Sequence, residues 1–150
     1  MAMGTRRTTR LLVVEDDPGY MYLIKRAFAV RGDRAVWELT TATDGEQCVQ
    51  ILFEEEKEGA PLPDLVLLDW NLPKVSGGEI LRRMKQHPKL RRIPILIFSS
   101  SVSEDDIQSA YDDHANGFIV KPANASALEG IVEAIERFWI AIARLPTVVR

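Results

Sequence analysis

The sequence predicts an α/β fold, a doubly wound parallel sheet of five strands with five helices, on three observations. Five short apolar runs alternate with five amphipathic, helix-like segments. Four of the runs are continuously apolar, as strands covered on both faces should be. Most of the helix-like segments open on a capping residue with an acid or amide three positions later. At 150 residues the chain has the length of one ordinary domain, which buries about two thirds of its unfolded surface.

Residues 1–9 read as a flexible N-terminal tail, and 10–150 as one domain. Arg6, Arg7 and Arg10 precede only four apolar residues before Glu15, too few for a signal-peptide core. The first strand, 10–14, runs into Glu15-Asp16-Asp17. Asp17 is then an N-cap, with Pro18 at the first helical position. The second strand, 36–41, leads to a helix capped by Asp44 with Gln47. Cys48, the single cysteine, falls at an apolar position of that helix, which indicates a small core residue in a reducing compartment, hence a cytoplasmic location. Residues 54–59 form a charged helix end running into Pro61 and Pro63, so a loop follows.

The third strand, 64–68, ends at Asp69, and Ser76 with Glu79 opens the third helix. Arg82, Arg83, Lys85, Lys89, Arg91 and Arg92 make a basic stretch that reads as a solvated face. The fourth strand, 94–98, ends in Ser99-Ser100-Ser101, and Ser103 with Asp106 caps the next helix. The fifth, 117–120, ends in Lys121-Pro122, and Ser126 with Glu129 marks the start of the last helix.

Charged residues make up 27%, hydrophobic ones 46%, and the formal net charge is -3. That balance gives no electrostatic pull towards nucleic acid, and no apolar stretch is long enough to span a membrane.

Chemistry in a sheet of this kind belongs at the carboxyl ends of its strands, where the polar groups of this chain collect. Two apolar strands ending in Glu15-Asp16-Asp17 and in Asp69, if neighbours, bring together acids whose repulsion a hard cation offsets. Ser99 adds a hydroxyl and Lys121 a fixed cation. An ion site, a carboxylate nucleophile, a hydroxyl and an ammonium are what a dianionic phosphoryl group requires.

Four stretches in this order, Leu12-Val13-Val14-Glu15-Asp16-Asp17-Pro18, Leu68-Asp69-Trp70-Asn71-Leu72-Pro73, Ile95-Leu96-Ile97-Phe98-Ser99-Ser100 and Gly117-Phe118-Ile119-Val120-Lys121-Pro122, resemble the receiver domain of two-component response regulators. The resemblance covers residues 10 to about 138. It implies a flavodoxin-like sheet in strand order 2-1-3-4-5. By the same resemblance Asp69 is the phospho-acceptor, and Glu15, Asp16, Asp69 and the Asn71 backbone carbonyl hold Mg²⁺. Ser99 is then the switch hydroxyl, Lys121 the phosphate-binding cation, and Phe118 the aromatic that follows the switch. The family also implies a cis Lys121-Pro122 bond. Ser76 departs from the family, which usually has aspartate there, but serine still caps the helix.

Leu128, Ile131, Val132, Ile135, Phe138, Trp139 and Ile142 recur at three- and four-residue intervals and predict one amphipathic helix of at least five turns. The apolar segment Leu145-Pro146-Thr147-Val148-Val149 follows. This extension, from about residue 139 to 150, either packs Phe138, Trp139, Ile142 and Leu145 against a second copy in a homodimer or folds back on its own domain. Glu136-Arg137-Phe138-Trp139 with Leu145-Pro146, and Tyr111 with His114-Ala115-Asn116, resemble the single-domain regulators paired with bacterial phytochromes. That likeness implies a phytochrome-linked sensor histidine kinase as phosphodonor. Two rival readings stand beside it: a small-molecule phosphohydrolase using Asp69 as nucleophile, and an interaction module that is never phosphorylated. The hydrolase generally needs an acid two residues after the nucleophile, where this chain has Asn71.

Overall fold

The computed structural model of the chain describes residues 8–29 and 36–146. Five parallel strands, β1 (Thr8–Val14), β2 (Val36–Ala42), β3 (Leu65–Leu68), β4 (Ile95–Ser99) and β5 (Gly117–Val120), lie in the order β2-β1-β3-β4-β5. The helices α1 (Pro18–Ala29), α2 (Gly45–Val49), α3 (Gly77–Gln86), α4 (Glu104–Asp112) and α5 (Ala125–Glu136) alternate with them. Alternate side chains of each strand face opposite sides. Leu11, Val13, Leu65 and Leu67 meet Met21, Ile24 and Phe28 of α1 and Leu128, Val132 and Ile135 of α5. Leu12, Val14, Val66 and Leu68 meet Cys48, Ile80, Leu81 and Met84 on the other side. The central runs 11–14, 65–68 and 95–98 are therefore apolar at every position because both of their faces are covered.

Strand order reverses between β1 and β3, where β1 pairs with β2 on one side and β3 on the other. The reversal opens a crevice at the carboxyl ends of β1 and β3.

Four details differ from the sequence reading. Residues 1–7 of the expected tail lie outside the described residues, but Thr8 and Thr9 belong to β1, paired with Val36 and Trp37. β2 extends far enough to give both residues ladder partners, and Thr9 is buried. Despite its apolar sequence, β5 is only half-buried, with Val120 exposed, because it is an edge strand. The last helix is capped by Asn124, not by Ser126. Asn124 is extended (φ -136°, ψ 162°) and its side-chain oxygen accepts from the Ala127 amide at 2.8 Å, which leaves Ser126 inside the first turn. Finally, the long C-terminal helix is not uniformly α: after Glu136 it widens into a π-helical segment, Arg137–Ile142, which shifts the apolar stripe around the axis.

The other expected caps are in place: the side chains of Asp44, Ser76 and Ser103 accept from the amides three residues on. Asp17 Oδ1 accepts from Gly19 and Tyr20 at the start of α1. Among the described residues, no helix is long and apolar enough to cross a membrane.

Candidate functional site

The register Val14↔Leu68 makes Glu15 and Asp69, the next residue of each strand, leave the sheet side by side. The Asp69 amide donates to the Val14 carbonyl at 3.1 Å and the Glu15 amide to the Ala42 carbonyl at 3.0 Å, so the turns after both strands are anchored to the sheet. Carboxylate oxygens of Glu15, Asp16 and Asp69 lie within 4.8 Å of one another. Glu15 and Asp69 are buried and Asp16 is exposed, which gives a pocket closed below and open to solvent above. The Asp17 amide donates to Glu15 Oε2 at 3.1 Å, so Asp17, besides capping α1, also steadies this acid.

Lys121 reaches in from the end of β5. Its Nζ lies 2.5 Å from Glu15 Oε1 and 3.0 Å from Asp69 Oδ2. Burial pushes the Glu15 carboxyl above the usual range, and Lys121 with the Asp17 amide only partly offsets this. Burial alone would lower the Lys121 ammonium, but hydrogen bonding and attraction from Glu15 and Asp69 raise it on balance, so it remains charged.

The donor set fits a hard divalent ion. All three side chains offer oxygen, and Glu15 Oε1 is fully buried, facing the Lys121 ammonium. The Asn71 amide donates to Asp69 Oδ1 at 3.3 Å, which bends the following loop over the acid.

Ser99 closes β4 and is fully buried. Its carbonyl accepts from the Lys121 amide at 2.9 Å and its Oγ from the Ser101 amide at 3.2 Å. The neighbouring serines are otherwise engaged or exposed: Ser101 Oγ donates to Asp106 Oδ2 at 2.6 Å, and Ser100 faces solvent. Phe118 pairs with Ile97 and packs half-buried against the core on the α2–α4 side, one layer below the acids. No peptide bond among the described residues is cis, so Lys121-Pro122 is trans, unlike the cis bond that the family resemblance implies. Trans is the intrinsically favoured form by about 0.5–1 kcal/mol, and the Pro122 carbonyl accepts from the Tyr20 hydroxyl at 3.1 Å.

Tyr20 is the site neighbour that sequence reasoning missed. It lies one turn into α1, and burial pushes its phenol up, keeping it a neutral donor. Its only signal in the chain was an aromatic residue just after Asp17-Pro18-Gly19.

Phe138 and Ile142 are exposed, whereas Trp139 is half-buried and packs on the core shared by α1 and α5. Leu145 is half-buried. Residues 147–149 of the apolar tail lie outside the described residues.

Residues 11–133 match the family model of the response regulator receiver domain. The chain belongs to that family. The phosphorylated cyanobacterial phytochrome response regulator RcpA superposes with a TM-score of 0.87 at 42% identity, covering 94% of this chain and 100% of its own. Rcp1 of Synechocystis is 36% identical over 91% of this chain and 92% of its own. The Mn(2+)-bound form of response regulator Rcp1 superposes with a TM-score of 0.83 at 35% identity, over 93% and 99% of the two chains. A probable methanogenesis regulatory protein, FilR2 of Methanothrix harundinacea, is 38% identical over 91% of this chain and 86% of its own. The fold, the family and the acid pocket expected from sequence are thus in agreement, and receiver domains as a class bind a divalent metal.

Proposed function

We propose that Asp69 accepts a phosphoryl group from the phosphohistidine of a sensor histidine kinase, in a Mg²⁺-dependent reaction, and that the phosphorylated pocket changes the surface of the domain. The observation that carries this reading is the meeting of Glu15, Asp16, Asp69 and Lys121 from three strand ends in one buried notch. Glu15, Asp16, Asp69 and the Asn71 carbonyl are the residues that would hold Mg²⁺. Bound there, the ion neutralises charge on the phosphoryl oxygens.

In the transfer, an Asp69 carboxylate oxygen forms the new bond to phosphorus while the bond from phosphorus to the imidazole nitrogen breaks. The electron pair returns to the imidazole. Lys121, released from Asp69 as that carboxylate becomes an acyl phosphate, follows the charge onto a phosphoryl oxygen. Ser99 turns its hydroxyl to donate to another, and Phe118 moves into the space that this vacates. Those two movements report phosphorylation to the α4–β5 side of the sheet.

The chain is on this reading a phospho-acceptor in the cytoplasm that catalyses its own phosphorylation and the slow loss of the group, without turning over a separate substrate. Asn71, two residues past the acceptor, offers no general acid for a hydrolase. A phytochrome-linked kinase as donor is supported by the likeness to RcpA. A homodimer is supported by exposed Phe138 and Ile142 and by an apolar groove of about 390 Å³ that Phe138 lines with Ile119, Ile131 and Trp139 among others, next to the open edge of β5. A second copy of the same face, Phe138, Trp139, Ile142 and Leu145 included, covers that surface.

Incubation with a small phosphodonor and Mg²⁺, followed by intact mass, tests the central step. One added phosphoryl group is expected, absent with a chelator and absent in Asp69→Asn. Rapid release of inorganic phosphate without a stable adduct would favour the hydrolase, and no reaction at all would leave only the interaction module.

A further inference from the structure

Besides the two acids, Lys121 lies close to the ring of Tyr20. Its Nζ lies 5.0 Å from that ring's centroid. The Tyr20 hydroxyl donates to the carbonyl of Pro122, the residue after Lys121, at 3.1 Å. The same ring packs on Phe98, the residue before Ser99, with centroids 6.0 Å apart. One side chain from the first turn of α1 thus clasps the tips of both β4 and β5, and the Lys121 side chain beneath it is only 11% exposed.

A lysine stem has four rotatable bonds and carries a point charge with no preferred direction. In the resting site, Glu15 and Asp69 aim it. Transfer removes one of those anchors, since the charge of Asp69 leaves its free carboxylate for the acyl phosphate. Glu15 remains, and the face of a neutral aromatic ring is a second contact to the ammonium that this step does not alter.

We propose that Tyr20 is a positioning residue for phosphoryl transfer: its ring face holds the Lys121 ammonium over the pocket while the ammonium passes from Asp69 to the phosphoryl group, and its hydroxyl fixes the turn from which Lys121 extends. This rests on Asp69 being the acceptor.

The test compares wild type, Tyr20→Phe, Tyr20→Leu and a chain with pentafluorophenylalanine at position 20. Each is phosphorylated by acetyl phosphate in saturating Mg²⁺, with the rate read by intact mass. Phenylalanine keeps the ring face and should retain most of the rate. Leucine removes it and should slow phosphorylation by about 2- to 30-fold. Pentafluorophenylalanine keeps the ring's packing but reverses its quadrupole, so it should be as slow as leucine. The Mg²⁺ midpoint from tryptophan fluorescence should not move, because the Tyr20 hydroxyl donates to the Pro122 carbonyl and its ring faces the Lys121 ammonium, neither of them an ion ligand. Equal rates for Phe and pentafluorophenylalanine would overturn the proposal even if the leucine variant fails to fold. A Mg²⁺ midpoint displaced in step with the rates would also overturn it, by tracing the effect to the ion site. Wild type that gains no phosphoryl group would instead overturn the acceptor reading itself.

Discussion

Gly77 shows how little freedom the acceptor loop has. A Cβ there would lie 2.2 Å from the Asp69 carbonyl oxygen and 2.9 Å from Trp70 Cα, and the Gly77 amide already donates to the Trp70 carbonyl at 3.1 Å. The start of α3 is therefore pressed directly on the backbone of Asp69 and Trp70. Gly77→Ala has no flexible side chain to push aside, so the Asp69 backbone itself must shift. A displacement of about 1 Å at a reacting group costs on the order of 100-fold in rate. The variant is expected to phosphorylate 10- to 100-fold more slowly on that scale, measured with a small phosphodonor, while remaining folded by circular dichroism. A rate equal to wild type would mean that the loop can move without disturbing the acceptor. Lys121, Glu15 and Asp69 were identifiable as residues because each terminates an apolar run. Tyr20 was not, because its contacts to Lys121 and Pro122 are tertiary; its hydroxyl reaches a carbonyl 102 positions away.

Among the elements, the sheet was the most legible part, since burial on both faces imposes unbroken apolar runs at β1, β3 and β4. The edges were less so. β5 carries the same apolar pattern as a central strand yet is half-open, and composition does not distinguish a strand covered within the chain from one covered by something else. The α5 cap misled for a local reason: Asn124 and Ser126 both belong to the capping residue types, but only Ser126 has an acid, Glu129, three residues on. The hydrogen bond from Ala127 decides for Asn124. Asn124→Ala is accordingly expected to cost about 1 kcal/mol of stability by urea unfolding, and Ser126→Ala less than about 0.5 kcal/mol. The reverse ranking would restore the sequence-based boundary. The π-helical turn after Glu136 left no trace in the spacing, because three- and four-residue intervals suit an α-helix equally well.

For the molecule as a whole, signalling requires that chemistry in the notch alter a surface elsewhere. The shortest connection runs from Ser99 and Lys121 into β5, whose Phe118 packs against the core on one face and whose neighbour Ile119 lines the apolar groove with Phe138 on the other. Trp139 is a poor probe of an interface there, because it also packs on its own core. Phe138→Glu and Ile142→Glu alter exposed positions and are expected to weaken self-association by on the order of tenfold, seen as a larger monomer fraction in sedimentation. An unchanged profile for both would count against self-association through this face.

The site of phosphorylation can be read chemically. Borohydride reduces an aspartyl phosphate to homoserine, so protein treated with acetyl phosphate and Mg²⁺, reduced and digested can be sequenced by mass spectrometry. Homoserine at position 69, lost when the metal is chelated, is the expected result. Homoserine at another acid, or none in a protein shown to be folded, would contradict the assignment of this pocket as the phospho-acceptor site.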